Sequence, residues 1–154
     1  MANITFEKGN SRHKHFKQAD IKNLIQITLR HLVSTRMNNS LNIKVVLKRD
    51  LGDAVGSCNI LYGGSKAQRD FTIKLDVSKN SNDLIDTICH ELTHVKQIAY
   101  NEFQARRWKS TGKVVYRWKG ENVTVNNYWS PWENDARLTA HKIGGKVASE
   151  YLSA

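Results

Sequence analysis

The sequence predicts an α+β fold in one domain. An N-terminal helix is followed by a small twisted sheet of about three strands, a long helix, a basic β-hairpin and a C-terminal helix. Three observations predict it. Short alternating strand patterns lie between helical patterns in the first half of the chain. His90-Glu91-Leu92-Thr93-His94 reads H-E-x-x-H inside a strongly amphipathic helical stretch. A last helical pattern opens at Ser130-Pro131-Trp132-Glu133 with the signals of a helix start.

Residues 1–15 are polar and read as a flexible arm, with His13-Lys14-His15 as solvated side chains. From about Gln18 to Met37, Ile21, Leu24, Ile25, Leu29, Leu32 and Val33 recur at helical spacing. Asp20 or a residue just before it suits the start, and His31 reads as a surface or core-edge histidine. Asn42 to Lys48 and Ser57 to Tyr62 read as strands, the second ending at the turn signal Gly63-Gly64. Asp70 to Val77 alternates, with Phe71, Ile73, Leu75 and Val77 on one face.

The long helix is expected from about Ser81 to Phe103, with Ser81 as N-cap and Asp83 in the first turn. On a helical wheel Leu84, Ile85, Ile88, Leu92, Val95 and Ala99 fall within about 100° of one another. His90, His94 and Gln97 fall on roughly the opposite side. Cys89 belongs to the buried face and reads as a small core residue. Lys113 to Trp118 and Val123 to Tyr128 read as a hairpin around Lys119-Gly120-Glu121-Asn122. The last helix runs from about Pro131 to Leu152, with Ser130 as N-cap. Ala136, Ala140, Ile143 and Val147 form its packing stripe, and Gly144-Gly145 is its weak point.

At 154 residues the chain can bury a real core. No apolar run approaches the roughly 20 residues of a membrane span. The N-terminal segment lacks the apolar stretch of a secretory signal. Two cysteines, Cys58 and Cys89, make no disulfide framework and read as reduced and intracellular. The net charge of +10 favours anionic partners. Arg106, Arg107, Lys109, Lys113, Arg117 and Lys119 interleave with Trp108, Tyr116 and Trp118. Such a set suits a phosphate backbone and base stacking. The competing reading is a solvated hairpin whose aromatics cover the core.

Two histidines four apart on a helix place their imidazoles one turn apart, as a zinc site requires. Glu91, next to the first histidine, projects beside the metal and serves as general base. A catalytic zinc takes a third protein ligand and leaves the fourth position to water. The candidates are Glu133, Asp135, His141, Glu102 and Asp86. No third histidine follows close behind the motif, so a carboxylate from a second helix is the natural completion. Glu133 is preferred, although Ser130-Pro131-Trp132-Glu133 also fits a capping box, S-x-x-E. Asp135 reads as a group that orients a ligating histidine through its other ring nitrogen, with Gln97 and His141 as further residues around the metal.

The stretches His90-Glu91-Leu92-Thr93-His94-Val95-Lys96-Gln97 and Tyr128-Trp129-Ser130-Pro131-Trp132-Glu133-Asn134-Asp135-Ala136, in this order, resemble a group of small phage- and bacterium-encoded zinc metallopeptidases. These are the SprT-like or gluzincin-like zincins, with H-E-x-x-H-x-x-Q and a later P-W-E-x-E-A. The resemblance covers about residues 84–140. It implies a zincin-like metallopeptidase fold and one Zn2+ per chain, held by His90, His94 and Glu133, with Glu91 as base. Asp135 is one methylene shorter than the second acid of that motif, and a basic hairpin fills the interval before Glu133.

The function expected is peptide-bond hydrolysis by metal-activated water. Tyr128 or His141 is a candidate for steadying the oxyanion. In zincins of this kind an edge strand binds substrate as an added strand, and Asp70 to Val77 is the strand expected to do so. The expected partner is a protein or peptide substrate, with DNA or a DNA-bound protein as a further one, and no membrane. The expected location is the cytoplasm, that of a host cell or a virion if the chain is phage-encoded. The alternative is a basic nucleic-acid-binding or phage structural or assembly protein with a non-catalytic zinc site.

Overall fold

The structure is a computed structural model that describes residues 1–52, 56–61, 67–124 and 129–153. In chain order it contains β1 (Asn3–Phe6), α1 (Gln18–Leu32), α2 (Thr35–Ser40), β2 (Asn42–Lys48), β3 (Gly56–Cys58) and β4 (Asp70–Asp76). There follow α3 (Ser81–Ala99), β5 (Phe103–Arg107), β6 (Val114–Trp118), β7 (Glu121–Val123) and α4 (Pro131–Ser153). The N-terminal helix, mixed sheet, H-E-x-x-H helix, hairpin and C-terminal helix stand in the order expected from the sequence.

The main sheet has the order β1-β2-β4-β3. The three expected strands are joined by a fourth, because residues 1–15 are not a free arm. Asn3–Phe6 pairs in parallel with β2, Ile4 opposite Ile43. His13 is also drawn in and is only 7% exposed. Its Nε2 meets the Lys79 carbonyl at 2.9 Å, and its Nδ1 accepts the backbone N–H groups of His15 and Phe16. The reading as an arm fails because a parallel partner is non-local, supplied only by a long crossover through α1.

In the parallel pair β2–β4, Ile43, Val45 and Leu47 lie opposite Phe71, Ile73 and Leu75. These apolar rows are all buried, and they form one core with Leu24 and Ile25 of α1 and Leu84, Ile88, Leu92 and Val95 of α3. Helices α1, α3 and α4 pack on one another, and α3 also lies against β3 and β4. The opposite sheet face is largely polar, with Asn42, Lys44 and Lys74 exposed.

The helix limits differ from the expected ones where local chemistry ends them. α1 stops at Leu32, and Ser34 starts α2 by accepting the Met37 N–H. Asn80, not Ser81, caps α3 through the Asp83 N–H. α3 ends at Ala99, before the expected Phe103. Asn101 takes a left-handed φ of 59°, with its N–H bonded to the Ile98 carbonyl and the Glu102 N–H bonded to that of Gln97. That is a Schellman motif, which asparagine tolerates well. Phe103 is thereby released into β5, which pairs with β6 to make a three-stranded antiparallel sheet. The hairpin strand expected over Val123 to Tyr128 begins earlier, as β7. Tyr128 lies outside the described residues, as do Tyr62 and Gly63-Gly64.

Candidate metal centre

One face of α3 packs the core, so the residues at the opposite phase turn toward α4. His90 and His94, one turn apart, have ring centroids 4.9 Å apart and nearly perpendicular planes. Their Nε2 atoms lie 3.4 and 2.8 Å from the two carboxylate oxygens of Glu133, in the first turn of α4. Among the described residues these three form the one group of His, Cys, Asp or Glu side chains placed to hold a metal, with ligand atoms all within 4.8 Å of one another.

The donor set fits zinc: two imidazole nitrogens and one carboxylate oxygen. Bonds of about 2.1 Å at tetrahedral angles separate neighbouring donors by about 3.4 Å; His90 Nε2 stands at that distance from Glu133, and His94 Nε2, at 2.8 Å, is closer, at hydrogen-bond distance. The geometry is that of the catalytic site of an H-E-x-x-H zinc metallopeptidase. Glu133 directs its carboxylate to the two histidines, the ligand arrangement of the two weighed for it.

The other candidates for a third ligand are elsewhere. Glu102 is paired with Lys96 at 2.8 Å. Asp86 and His141 are exposed and outside the group, so His141 is not drawn to the metal position as a ligand or an oxyanion helper. Asp135 does not touch a histidine directly. Gln97, fully buried, stands between them: its Oε1 is 2.8 Å from His94 Nδ1, and its Nε2 donates to the Trp132 carbonyl at 3.0 Å and to Asp135 Oδ2 at 2.8 Å.

This contact set fixes a proton. A backbone carbonyl can only accept, so the end of the Gln97 amide facing the Trp132 carbonyl must be its NH2. The other end is then the oxygen, and His94 must carry hydrogen on Nδ1. The Nε2 lone pair of the neutral ring is left for a metal.

Trp132 anchors this geometry. It is the largest fully buried side chain. It stacks on Phe103 at 4.3 Å between ring centroids and meets Tyr116 and Trp118 at 5.6 and 6.5 Å. The small sheet therefore clamps the first turn of α4, and Glu133 is the next residue.

Burial raises the Glu91 carboxyl above its ordinary range, and Glu133 adds to this, while the His94 and His90 rings pull it back. Burial opposes ionisation of Glu133 as well, but hydrogen bonds from His90 and His94 outweigh it and hold the carboxyl well below the usual range. For His94, burial favours the neutral ring, yet the Glu133 contact wins and raises its pKa. These directions describe the metal-free chain. Cys89 is a buried core residue whose thiol burial raises to about 11.

The strand beside the site is not the expected one. β4 is interior, paired with β2 and β3, so Asp70 to Val77 has no free edge. The edge is β3. The Asn59 N–H bonds to the Thr72 carbonyl, and the register alternates from there. Ser57 therefore faces β4, while the backbone groups of Gly56 and Cys58 point outward. A Cβ on Gly56 would lie 2.7 Å from Thr87 Cγ2 and 3.1 Å from Glu91 Oε1. Gly56 went unnoticed in the sequence, although a lone glycine in a strand pattern signals close backbone approach.

No protein-family model, curated protein or solved structure matches the chain. The site is therefore assigned on its own geometry.

Proposed function

We propose that the protein is a zinc-dependent metallopeptidase that cleaves an extended peptide laid along β3. The observation that carries this is the convergence of His90, His94 and Glu133, with Glu91 beside them and β3, an edge strand among the described residues, against Glu91. A bound zinc would supply Lewis acidity, polarising the scissile carbonyl and lowering the pKa of water to about 7.

The chain does the rest. The outward N–H and C=O groups of Gly56 and Cys58 take the substrate backbone as an added strand. Glu91 accepts the proton of the attacking water and delivers it to the leaving amine. Its raised affinity for a proton suits both halves of that transfer. Gln97 and Asp135 hold His94 in the ligating tautomer, and the aromatic clamp on Trp132 keeps Glu133 in reach.

Glu91→Gln tests the assignment. The variant should retain one zinc per chain by elemental analysis and lose about 10²–10⁴-fold in the rate of casein cleavage. Undiminished cleavage by this variant removes Glu91 as the base. Purified protein that takes up no zinc removes the metallopeptidase reading altogether.

A further inference from the structure

The small sheet carries a surface that the peptidase chemistry does not use. From Phe103 to Gly120 the sequence holds six basic residues and no acidic one, most of the net charge of +10. Glu102, just before this stretch, is already paired with Lys96. Pairing across β5, β6 and β7 sorts the side chains onto two faces. Phe103, Ala105, Tyr116 and Trp118 face inward toward Trp132, so Tyr116 and Trp118 are committed to the core. Gln104, Arg106, Val115, Arg117 and Asn122 share the outer face. Beyond it the connection from β5 to β6 presents Trp108, Lys109 and Lys113, all exposed; Trp108 is 60% exposed. Arg117 is half-buried and donates to the Gly120 carbonyl; Arg106, Lys109 and Lys113 are the exposed cations of the outer face and tip around Trp108.

We propose that this outer face and tip bind single-stranded nucleic acid, with Arg106, Lys109 and Lys113 on phosphates and Trp108 stacked on a base. A stretch rich in lysine and arginine, with no acidic residue between Phe103 and Gly120, attracts a polyanion by counterion release. A bare indole amid those cations gives a base a stacking surface. A duplex hides its base faces, so Trp108 selects the single strand. A protein partner fits less well, since among the described residues Val115 is the one aliphatic side chain of the outer face.

The test uses fluorescein-labelled oligothymidylate and a duplex of equal length, followed by anisotropy across a salt series on the full chain. The wild type should bind the single strand more tightly than the duplex. Replacing Arg106, Lys109 and Lys113 together by Ala should weaken binding at least tenfold and reduce the salt slope by about 2, at roughly 0.7 per phosphate contact. Trp108→Ala should weaken binding about 5- to 100-fold with the salt slope unchanged. It should also abolish the quenching of tryptophan fluorescence by oligothymidylate. A control lacking Lys8, Lys22, Lys142 and Lys146, exposed elsewhere, should bind as the wild type does. Zinc removal should leave binding intact. The proposal is overturned if the two sets of lysine and arginine replacements act alike, if Trp108→Ala is neutral, if the duplex binds more tightly, or if polyglutamate competes as well as oligothymidylate.

Discussion

At Gln97 a neutral amide decides which nitrogen of a neighbouring imidazole is free. Its two N–H groups are spent on the Trp132 carbonyl and Asp135, so only its oxygen remains for His94. Gln97→Leu keeps the volume and removes the constraint. Its zinc dissociation constant should rise about 10–100-fold in competition with a chromophoric chelator, with the far-ultraviolet spectrum unchanged. Gln97→Glu should fare worse, because a carboxylate would face the Asp135 carboxylate and the Trp132 carbonyl. Equal zinc affinity in the wild type and Gln97→Leu would show that His94 needs no such partner. The helical wheel places Gln97 with the two histidines, so its nearness to the site is legible in the sequence. Its bond to Asp135 is not, since that contact crosses between helices and replaces the direct contact expected of Asp135.

Among the elements, β3 is the shortest strand of the main sheet and the one against which Glu91 is placed. Gly56 permits that approach. In Gly56→Ala the added methyl meets Thr87 and Glu91, which should cost about 1–3 kcal/mol of stability in urea unfolding. Cleavage should fall by more than the unfolded fraction explains, while zinc content holds. The elements themselves were largely readable: alternation gave β2 and β4, and the wheel gave α3. Strand order was not. Nothing local in Asp70 to Val77 tells an interior strand from an edge, and nothing local in Asn3–Phe6 announces a partner beyond α1. The end of α3 could have been read from Asn101, a residue suited to the left-handed turn, had the apolar Phe103 not appeared to continue the helix.

For the whole molecule, zinc would tie α3 to α4 across the site. At a free zinc concentration 100 times the dissociation constant the folded state gains about 2.7 kcal/mol. For a chain of this size that corresponds to about 5–10 °C in Tm, which a chelator should remove in a calorimetric scan. Acid acts at a second place. Burial would raise the Asp76 carboxyl, but hydrogen bonds from Ser78, Leu51 and Asp50 lower it from 3.8 to about 2. The folded pKa lies below the unfolded one, so this contribution, about 2 kcal/mol, is fully present above about pH 4. It is lost as the pH falls through about 2. Asp76→Asn should flatten the acid limb of the stability curve between these values. The overall order of helices and strands was legible because each element carries its own period. The clamp of the small sheet on Trp132 was not, because the four aromatics meet only after the chain has folded.

The pairing of His94 with Glu133 has a thermochemical consequence. With its pKa raised by that carboxylate against the opposing pull of burial, the metal-free imidazole holds a proton on Nε2, the atom the metal requires, more strongly than a free imidazole does. Loading the site is then an exchange of ions, not a simple addition. Titration calorimetry in buffers of different ionisation enthalpy should give different apparent heats, and their slope would count the protons expelled per zinc.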